Sequence, residues 1–227
     1  MSPDQGHESS RFALGARGDD DDSAAVLRVR AAYHDRLDPT AGFPAGGEIE
    51  FAELALLAGE DDVQVSELKI VGIQSVTPWD RAFRPWLWQA QTGVRRYGLD
   101  ALGARHRGAL GGYLDFGFGF AAGDDTRAVA YGFGLVAFDA NRDVERGHAL
   151  AGGLRAGLWL PWSDTFIQQL EADVLGPLAG GARHIAKGSF ATQWQFTHDD
   201  GLRLLLNYGD QDDTHARSVE LRWHRYF

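Results

Sequence analysis

The chain has 227 residues, a formal net charge of -10 and no cysteine, and 29 of its residues are glycine. The lack of cysteine excludes disulfides, thiolate metal sites and cysteine nucleophiles. Acidic balance and scattered basic residues disfavour nucleic acid as a partner. No stretch approaches the roughly 18 apolar residues of a spanning helix, and no signal peptide is recognisable. We expect a single domain over residues 1–227, with 1–8 as a short lead-in, that belongs to a longer protein.

The first two predicted strands alternate apolar and polar side chains, which places one set on each face. In the first strand, Phe12 and Leu14 share a face. In the second strand, Leu27 shares a face with other apolar residues, whereas Arg28 and Arg30 lie on the opposite face. The pattern predicts two β-strands with one apolar and one charged face.

Two further strands are predicted at Glu48 to Ala58 and at Val63 to Val76. Their alternation slips by one residue near Glu53 and near Val71. An extra residue in one strand of an antiparallel pair produces such a slip. We therefore expect a β-bulge at each of these places.

The middle of the chain predicts three strands with large apolar residues on one face and small or polar residues on the other. We expect all three apolar sets to face the same surroundings. The apolar sets are Trp86, Trp88, Ala90 and Val94, then Leu114, Phe116, Phe118 and Phe120, then Val129, Tyr131, Phe133 and Leu135.

Five more alternating segments follow, up to the last residue, and give a total of about twelve strands. An even number is usual for bacterial single-chain barrels. The apolar faces of these later strands are represented by Leu154, Val174, Trp194, Leu204 and Val219. The predicted fold is all-β: a closed antiparallel transmembrane β-barrel of about twelve strands, in an up-and-down meander.

The composition of the two faces distinguishes a membrane barrel from a soluble one. The polar face carries charges of both signs, such as Arg155, Glu171 and Asp173, which predicts a lumen largely filled by paired charges. The apolar face carries aromatic residues near strand ends, as interfacial girdles do: Trp86, Trp88, Tyr131, Trp194 and Trp223. We expect a bacterial outer-membrane location, with membrane lipids and lipopolysaccharide as partners. A soluble lipid-binding β-barrel, with its apolar face inside, is an alternative.

The last predicted strand, from Arg217 to Phe227, ends in an aromatic residue, with Trp223 and Leu221 at even spacing before it. It resembles the C-terminal recognition strand of bacterial outer-membrane proteins. Arg225 departs from that pattern, because such strands usually carry an apolar residue there. The resemblance implies that Leu221, Trp223 and Phe227 form an insertion signal for the barrel-insertion machinery.

Longer segments resemble a known architecture. They run from Gly6 to Arg11, from His34 through Pro39 to Phe51, and from Ser75 to Trp88. Together they resemble the C-terminal outer-membrane β-barrel domain of Gram-negative proteins with an N-terminal Lnb-like periplasmic domain, which is similar to lipoprotein N-acyltransferases. The resemblance implies that the chain is a membrane anchor and scaffold for that periplasmic domain. Any acyltransferase chemistry would lie in the absent domain, so no catalytic residue is carried over.

Strand parity places the connections His34 to Gly47 and Thr77 to Arg84 on the periplasmic side if the C-terminus is periplasmic. We expect these long connections to pack together, with exposed aromatic rings, and to contact the periplasmic domain. An alternative is that the first connection is a turn that plugs the barrel end. The predicted docking residues are His34, Asp35, Asp38, Phe43, Trp79, Asp80, Phe83 and Arg84.

Catalytic and metal sites have weak support. An outer-membrane lipid hydrolase is an alternative function, and hydroxyl groups at Ser163 and Ser189 and several histidines are available, but no motif ties a serine to a histidine. His34, Asp35 and Asp38 have metal-binding side chains, yet an aspartate that organises the turn before Pro39 explains Asp38 better. We expect no enzyme activity in this chain, no cofactor and no metal.

Overall fold

The computed structural model describes residues 7–20, 22–43, 46–60, 62–78, 86–96, 109–211 and 214–227. These residues form twelve β-strands and a 3-10 turn at Glu145–Gly147. The strands are β1 (Arg11–Asp19), β2 (Ser23–His34), β3 (Gly47–Ala58), β4 (Val63–Ser75), β5 (Leu87–Arg96), β6 (Leu110–Asp124), β7 (Ala128–Ala140), β8 (His148–Ser163), β9 (Phe166–Gly180), β10 (Ile185–Gln195), β11 (Asp200–Gln211) and β12 (Thr214–Tyr226). In the described part of the chain, no helix has the length and apolar character needed to cross a membrane.

The strands form one closed barrel. Each strand pairs with its neighbours in the sequence, and β1 pairs with β12 to close the sheet. The predicted closed twelve-strand antiparallel meander is therefore confirmed. β1 begins and β12 ends at the same end of the barrel, which we call the terminal end and which also carries the β2–β3 connection. The opposite end, which carries the β1–β2 and β9–β10 connections, is called the loop end.

The bulge predicted near Val71 is present in β4. The pairing of β4 with β5 shifts between Lys69 and Val71, and such an extra residue re-aims the side chains that follow. No register shift occurs at Glu53 itself. Ala52 has a φ of 51° and is unpaired, but the opposite residue of β2, Ala31, is unpaired as well. The register of β3 with β4 shifts instead between Ala55 and Leu56.

A belt of large apolar side chains covers the outside of the barrel. In β6, Leu114, Phe116, Phe118 and Phe120 are exposed and alternate with buried residues. Exposed Leu154 in β8 and Val174 in β9 extend the belt. Such a large exposed apolar surface is unfavourable in water but favourable in the hydrocarbon core of a bilayer.

The predicted orientation of β7 is wrong. Val129, Tyr131, Phe133 and Leu135 are buried in the lumen and do not face lipid, so Tyr131 is not part of an outer girdle. The register with β6 is the cause: Phe118 faces outward and lies opposite Gly134. Residues directly opposite each other point to the same side of a sheet. Gly134 therefore faces outward, and the large residues between the β7 glycines point inward.

Glycines of β6 make room for these inward-facing side chains. A Cβ added at Gly119 would lie 2.9 Å from Cδ1 of Phe133, and one added at Gly117 would lie 2.7 Å from Cδ2 of Leu135. The side chains of Phe133 and Leu135 therefore occupy the volume that a side chain of β6 would need. The result is an apolar cluster inside one half of the barrel, which also contains Trp159 and Ile167.

Candidate functional site

The connection between β2 and β3 turns back into the barrel. Every residue from Asp35 to Thr40 is buried, and so is Phe43. We call residues 35–43 the plug. A surface loop would leave these groups in water, whereas here six consecutive residues lie inside the lumen, at the terminal end.

The plug has its own local structure. The backbone N–H of Asp38 donates to the carbonyl of Asp35 at 3.0 Å, and Oδ1 of Asp35 accepts from the N–H of Leu37 at 2.9 Å. This is the turn that aspartate favours, because its side chain satisfies the backbone two residues on. In return, the N–H of Asp35 donates to Oδ2 of Asp38 at 3.0 Å. The two carboxylates are thereby held side by side.

Three arginines from the barrel wall surround these two carboxylates. Arg11 of β1, Arg30 of β2 and Arg203 of β11 each contact both Asp35 and Asp38. The distances to Asp35 are 2.5 Å from Arg11 Nη1, 3.3 Å from Arg30 Nη1 and 2.8 Å from Arg203 Nη1. Those to Asp38 are 2.7 Å from Arg11 Nη1, 2.6 Å from Arg30 Nη2, 3.0 Å from Arg203 Nη2 and 2.7 Å from the Tyr226 hydroxyl, which donates.

The electrostatics keep both plug carboxyls ionised. Burial by itself raises the pKa of Asp38, but the guanidinium groups of Arg30, Arg11 and Arg203 outweigh burial and hold that pKa well below its ordinary value. The pKa of Asp35 is lowered for the same reason. Because these pKa values are depressed, the pairing contributes full stability above the ordinary carboxyl pKa of about 4. The contribution is lost only as pH falls through the lower folded-state pKa.

Arg36 and Leu37 connect the plug to other strands of the barrel. Arg36 Nε donates to Glu48 at 2.9 Å, and Arg36 Nη2 donates to Glu171 at 3.1 Å. The backbone carbonyl of Arg36 accepts from Trp159 Nε1 at 2.8 Å. Leu37 enters the apolar cluster of the β7–β9 wall. The plug thus contacts both the charged and the apolar sides of the lumen.

The last part of the plug packs at the terminal end. Thr40 Oγ1 donates to Asp164 Oδ1 in the β8–β9 turn at 3.1 Å. The ring of Phe43 stacks on His34 with centroids 4.2 Å apart, and it contacts His7 and Tyr33. The aromatic and imidazole rings therefore cover the plug on the side from which it enters.

Paired charges fill much of the remaining lumen. Arg95 bonds Asp115 and Asp139, Arg155 bonds Asp173, and Lys69 bonds Glu50; Glu220 is shared by Arg17, Arg28 and Arg222. The larger cavities among the described residues measure about 200 and 190 Å3, and the second of these is bordered by Asp35, Arg36 and Leu37 of the plug. The lumen is thus narrowed by side chains on all sides.

One group of side chains has the composition of a metal site. The ligand atoms of His7, His34 and Asp38 lie within 4.8 Å of one another, and all three residues are buried. Burial lowers the pKa of His7, which favours the neutral, ligating form. However, the oxygens of Asp38 already accept from three guanidinium groups and from Tyr226. A divalent cation there would face the arginines directly, so the residues do not fit a metal.

The structure describes only half of the predicted docking residues. His34, Asp35, Asp38 and Phe43 are buried, and Trp79, Asp80, Phe83 and Arg84 are outside the described residues. The expectation that Phe43 is an exposed ring is wrong, because the plug folds inward and takes Phe43 with it. The docking role itself stays a prediction. Where both can be seen, the two connections meet at the terminal end: the N–H of Val76 donates to the carbonyl of Gly46 at 2.9 Å.

Sequence reasoning missed the partners of the plug. Arg11, Arg203 and Tyr226 come from β1, β11 and β12, and Arg203 is 168 residues from Asp35. The only signal was their position on the polar faces of predicted strands. Barrel closure, which brings β12 beside β1, is what places them around one turn.

The residues of the predicted insertion signal face outward. Leu221 and Phe227 are exposed, and Trp223 packs edge-on against Phe12 of β1 with centroids 5.3 Å apart. Arg225, the exception in the pattern, pairs with Asp200 of β11 at 3.0 Å. Its charge is therefore balanced on the outer surface. The role in insertion stays a prediction.

The serines considered for hydrolysis are not arranged for it. Ser163 Oγ lies 3.2 Å from the hydroxyl of Thr165. Among the described residues, neither Ser163 nor Ser189 has a hydrogen bond to a histidine ring. A general base must lie within hydrogen-bond reach of its nucleophile.

With the geometry established, the chain can be compared with known proteins. The family described as Domain of unknown function (DUF7840) matches residues 1–226. The chain belongs to the DUF7840 family. Nothing among the curated proteins matches it.

Solved structures that resemble this chain include two porins and an outer membrane channel. The NanC porin is 10% identical, with a TM-score of 0.57, 96% of this chain covered and 100% of that chain. An outer membrane channel from Pseudomonas putida F1 is 11% identical, with a TM-score of 0.56 and coverages of 98% and 96%. The KdgM porin, solved with disordered oligogalacturonate, is 7% identical, with a TM-score of 0.52 and coverages of 96% and 99%. At these identities the likeness shows the fold alone. The predicted β-barrel fold, which these outer-membrane porins and this channel share, is confirmed.

Proposed function

We propose that this chain is a sealed outer-membrane anchor, which holds a periplasmic domain at the membrane and does not conduct solutes through its lumen. The observation that carries the proposal is the plug. It occupies the lumen at the terminal end and is bonded to strands on both sides of the barrel.

The plug contacts explain why sealing is expected to be permanent. Displacing the plug would separate both Asp35 and Asp38 from Arg11, Arg30 and Arg203, and Arg203 would then keep no carboxylate partner among the described residues. Breaking one such buried pair costs about 3–5 kcal/mol. Leu37 would also leave its apolar cluster. A loop that opens and closes during transport needs weaker contacts than these.

The anchoring part of the proposal rests on the resemblance in segment order and on the position of the plug. The chain enters the barrel at the same end from which the plug inserts. A domain joined ahead of β1 would therefore lie at this end of the barrel. We propose that the terminal end, where β2 and β4 end in the connections His34 to Gly47 and Thr77 to Arg84, provides its contact surface.

Planar-bilayer recording of the refolded chain tests the seal. We expect no stable openings of porin size from the natural sequence. Replacing both plug carboxylates, Asp35→Ala with Asp38→Ala, should free the plug and produce openings. The matched control is Asp125→Ala, an exposed carboxylate in the β6–β7 turn. Large stable openings from the natural sequence would overturn the proposal.

Limited proteolysis of the full-length protein tests the anchor. If the periplasmic domain docks on the terminal end, Trp79→Ala should expose the interdomain linker to protease while the barrel keeps its heat-modifiable migration. Tyr208→Ala is a suitable control, because Tyr208 is an exposed aromatic residue of β11 near the loop end. Equal cleavage rates for Trp79→Ala and the natural sequence would argue against docking at this surface.

A further inference from the structure

The chain has only two lysines, and they differ in whether they form an ion pair. Both Lys69 and Lys187 lie on strands that line the lumen, where arginine provides the other cations. Lys69 is bonded to Glu50. In contrast, Lys187 of β10 makes no hydrogen bond and no ion pair with any described residue. Arginine suits fixed bidentate pairing with carboxylates, whereas lysine is a flexible point charge.

Lys187 is also unusual among the lumen charges. The other lumen cations of the described chain each have a carboxylate oxygen within 4.0 Å; they are Arg11, Arg17, Arg28, Arg30, Arg36, Lys69, Arg95, Arg155, Arg203 and Arg222. Asp115 and Asp173 interact electrostatically with Lys187, but both already pair with arginines: Asp115 accepts from Arg95 and Gln91, and Asp173 accepts from two nitrogens of Arg155. Lys187 is thus a cation with no ion pair of its own among the described residues.

Lys187 lines the cavity of about 200 Å3, which is a small-molecule-sized space. Lys187 also lines a smaller cavity of about 20 Å3, which is bordered by Ala149, Ala182 and Arg183 near the loop end. The two cavities share Lys187, so the space beside it extends toward the loop end. A solute could approach it through the loop end while the plug stays in place.

Uncharged hydrogen-bonding groups line the same cavity. Gln89 accepts from Arg155 Nη1 at 3.3 Å through its carbonyl oxygen, which leaves its amide N–H groups available. The hydroxyl of Ser189 lies two residues along β10 from Lys187, on the same face. Such groups bind hydroxyl groups of a ligand, because each can donate a hydrogen bond.

We propose that this cavity binds a small hydroxylated anion, whose carboxylate or phosphate group pairs with Lys187 and whose hydroxyl groups contact Gln89 and Ser189. An unpaired cation in a partly buried site is costly, and an anionic ligand removes that cost. The volume excludes a whole lipid. The site is independent of the anchor role, because it needs only a closed barrel and not a docked domain.

The presence of only two lysines allows a direct test. The full chain, labelled biosynthetically with [ε-13C]lysine and refolded in mild detergent, gives one NMR signal for Lys187 and one for Lys69. Gluconate and inorganic phosphate serve as anionic probes, one with a carboxylate and hydroxyl groups and one with a phosphate. Glucose is the neutral match for gluconate. We expect a saturable shift of the Lys187 signal with gluconate, none with glucose, and none at Lys69.

Calorimetry on variants completes the test. Lys187→Gln should weaken gluconate binding about tenfold, a factor that corresponds to about 1.4 kcal/mol. Lys187→Arg, which keeps the charge, should retain most of it. A Lys187 signal that does not move with either anion would overturn the proposal. So would equal shifts with glucose, or shifts reproduced by sodium chloride at the same ionic strength. A phosphate response without a gluconate response would assign the site to phosphate esters. None of these outcomes depends on bilayer conductance.

Discussion

The two halves of the lumen are filled in different ways. In the β7–β9 half, the wall fills its own space: Phe133, Trp159 and Ile167 are almost fully buried, and glycines of β6 accommodate them. In the half formed by β1, β2, β11 and β12, arginines line the wall. There a separate segment, the plug, supplies Asp35 and Asp38 to pair with them.

Because of this difference, the barrel depends on the plug for its structure. The apolar half would remain packed without it, apart from the loss of Leu37. The charged half would not, because Arg11, Arg30 and Arg203 would face one another with fewer carboxylates between them. Like charges at close range in a low-dielectric interior are strongly unfavourable. The plug therefore stabilises one wall electrostatically and the other by packing.

The largest effect is expected from removing a carboxylate of the charged half. Asp38→Asn leaves three guanidinium groups around a neutral amide, so we expect a loss of about 3–5 kcal/mol in the free energy of unfolding. Urea unfolding of the barrel in lipid vesicles measures it. The control is Asp125→Asn, an exposed residue of the β6–β7 turn. Similar stabilities for both variants would mean that the charged half does not depend on the plug.

A somewhat smaller effect is expected on the outer face of the strand that supports the apolar half. Phe118 is exposed in the middle of β6, so Phe118→Arg places a cation in lipid at a cost of about 2–4 kcal/mol. The yield of refolding into bilayers should fall. Thr126→Arg, in the exposed β6–β7 turn, should insert normally. Equal yields would contradict the assignment of Phe118 to the outer face of β6. Because Phe118 lies opposite Gly134, they would also contradict the inward orientation of the large β7 side chains.

Two glycines on neighbouring strands test how tightly the apolar half is packed. A Cβ at Gly119 would overlap the backbone of β7 and the ring of Phe133, so Gly119→Ala should cost about 1–3 kcal/mol through overpacking. At Gly134, which faces outward, the nearest atom to an added Cβ is 3.8 Å away, so Gly134→Ala should be tolerated. Unfolding midpoints in urea compare the two. Tolerance at both positions would show that the apolar half is loosely packed.

The smallest expected effect concerns the contact that joins the plug to the apolar half. Trp159→Phe keeps an aromatic ring but removes the hydrogen bond from Nε1 to the carbonyl of Arg36. The expected loss is about 1 kcal/mol, the usual net value of one such bond. Urea unfolding again measures it, and Trp162→Phe, at an exposed tryptophan, is the control. A loss as large as that of Asp38→Asn would indicate that the plug depends mainly on the apolar wall.

The strands, their number, the bulge near Val71 and the charged character of the lumen could be predicted from the sequence. These properties follow from alternation at period two, which depends only on neighbouring residues in the chain. The bulge near Val71, for example, is visible as a break in that alternation, and the structure shows the extra residue of β4 between Lys69 and Val71.

The direction in which β7 faces and the path of the β2–β3 connection depend on tertiary contacts. A strand with large apolar residues on one face and glycine or alanine on the other fits either lipid or an apolar lumen, and here the register with β6 decides between them. The plug depends on Arg11, Arg203 and Tyr226, which come together with Asp38 only when β12 pairs with β1. Such contacts join residues far apart in the sequence, so no local pattern specifies them.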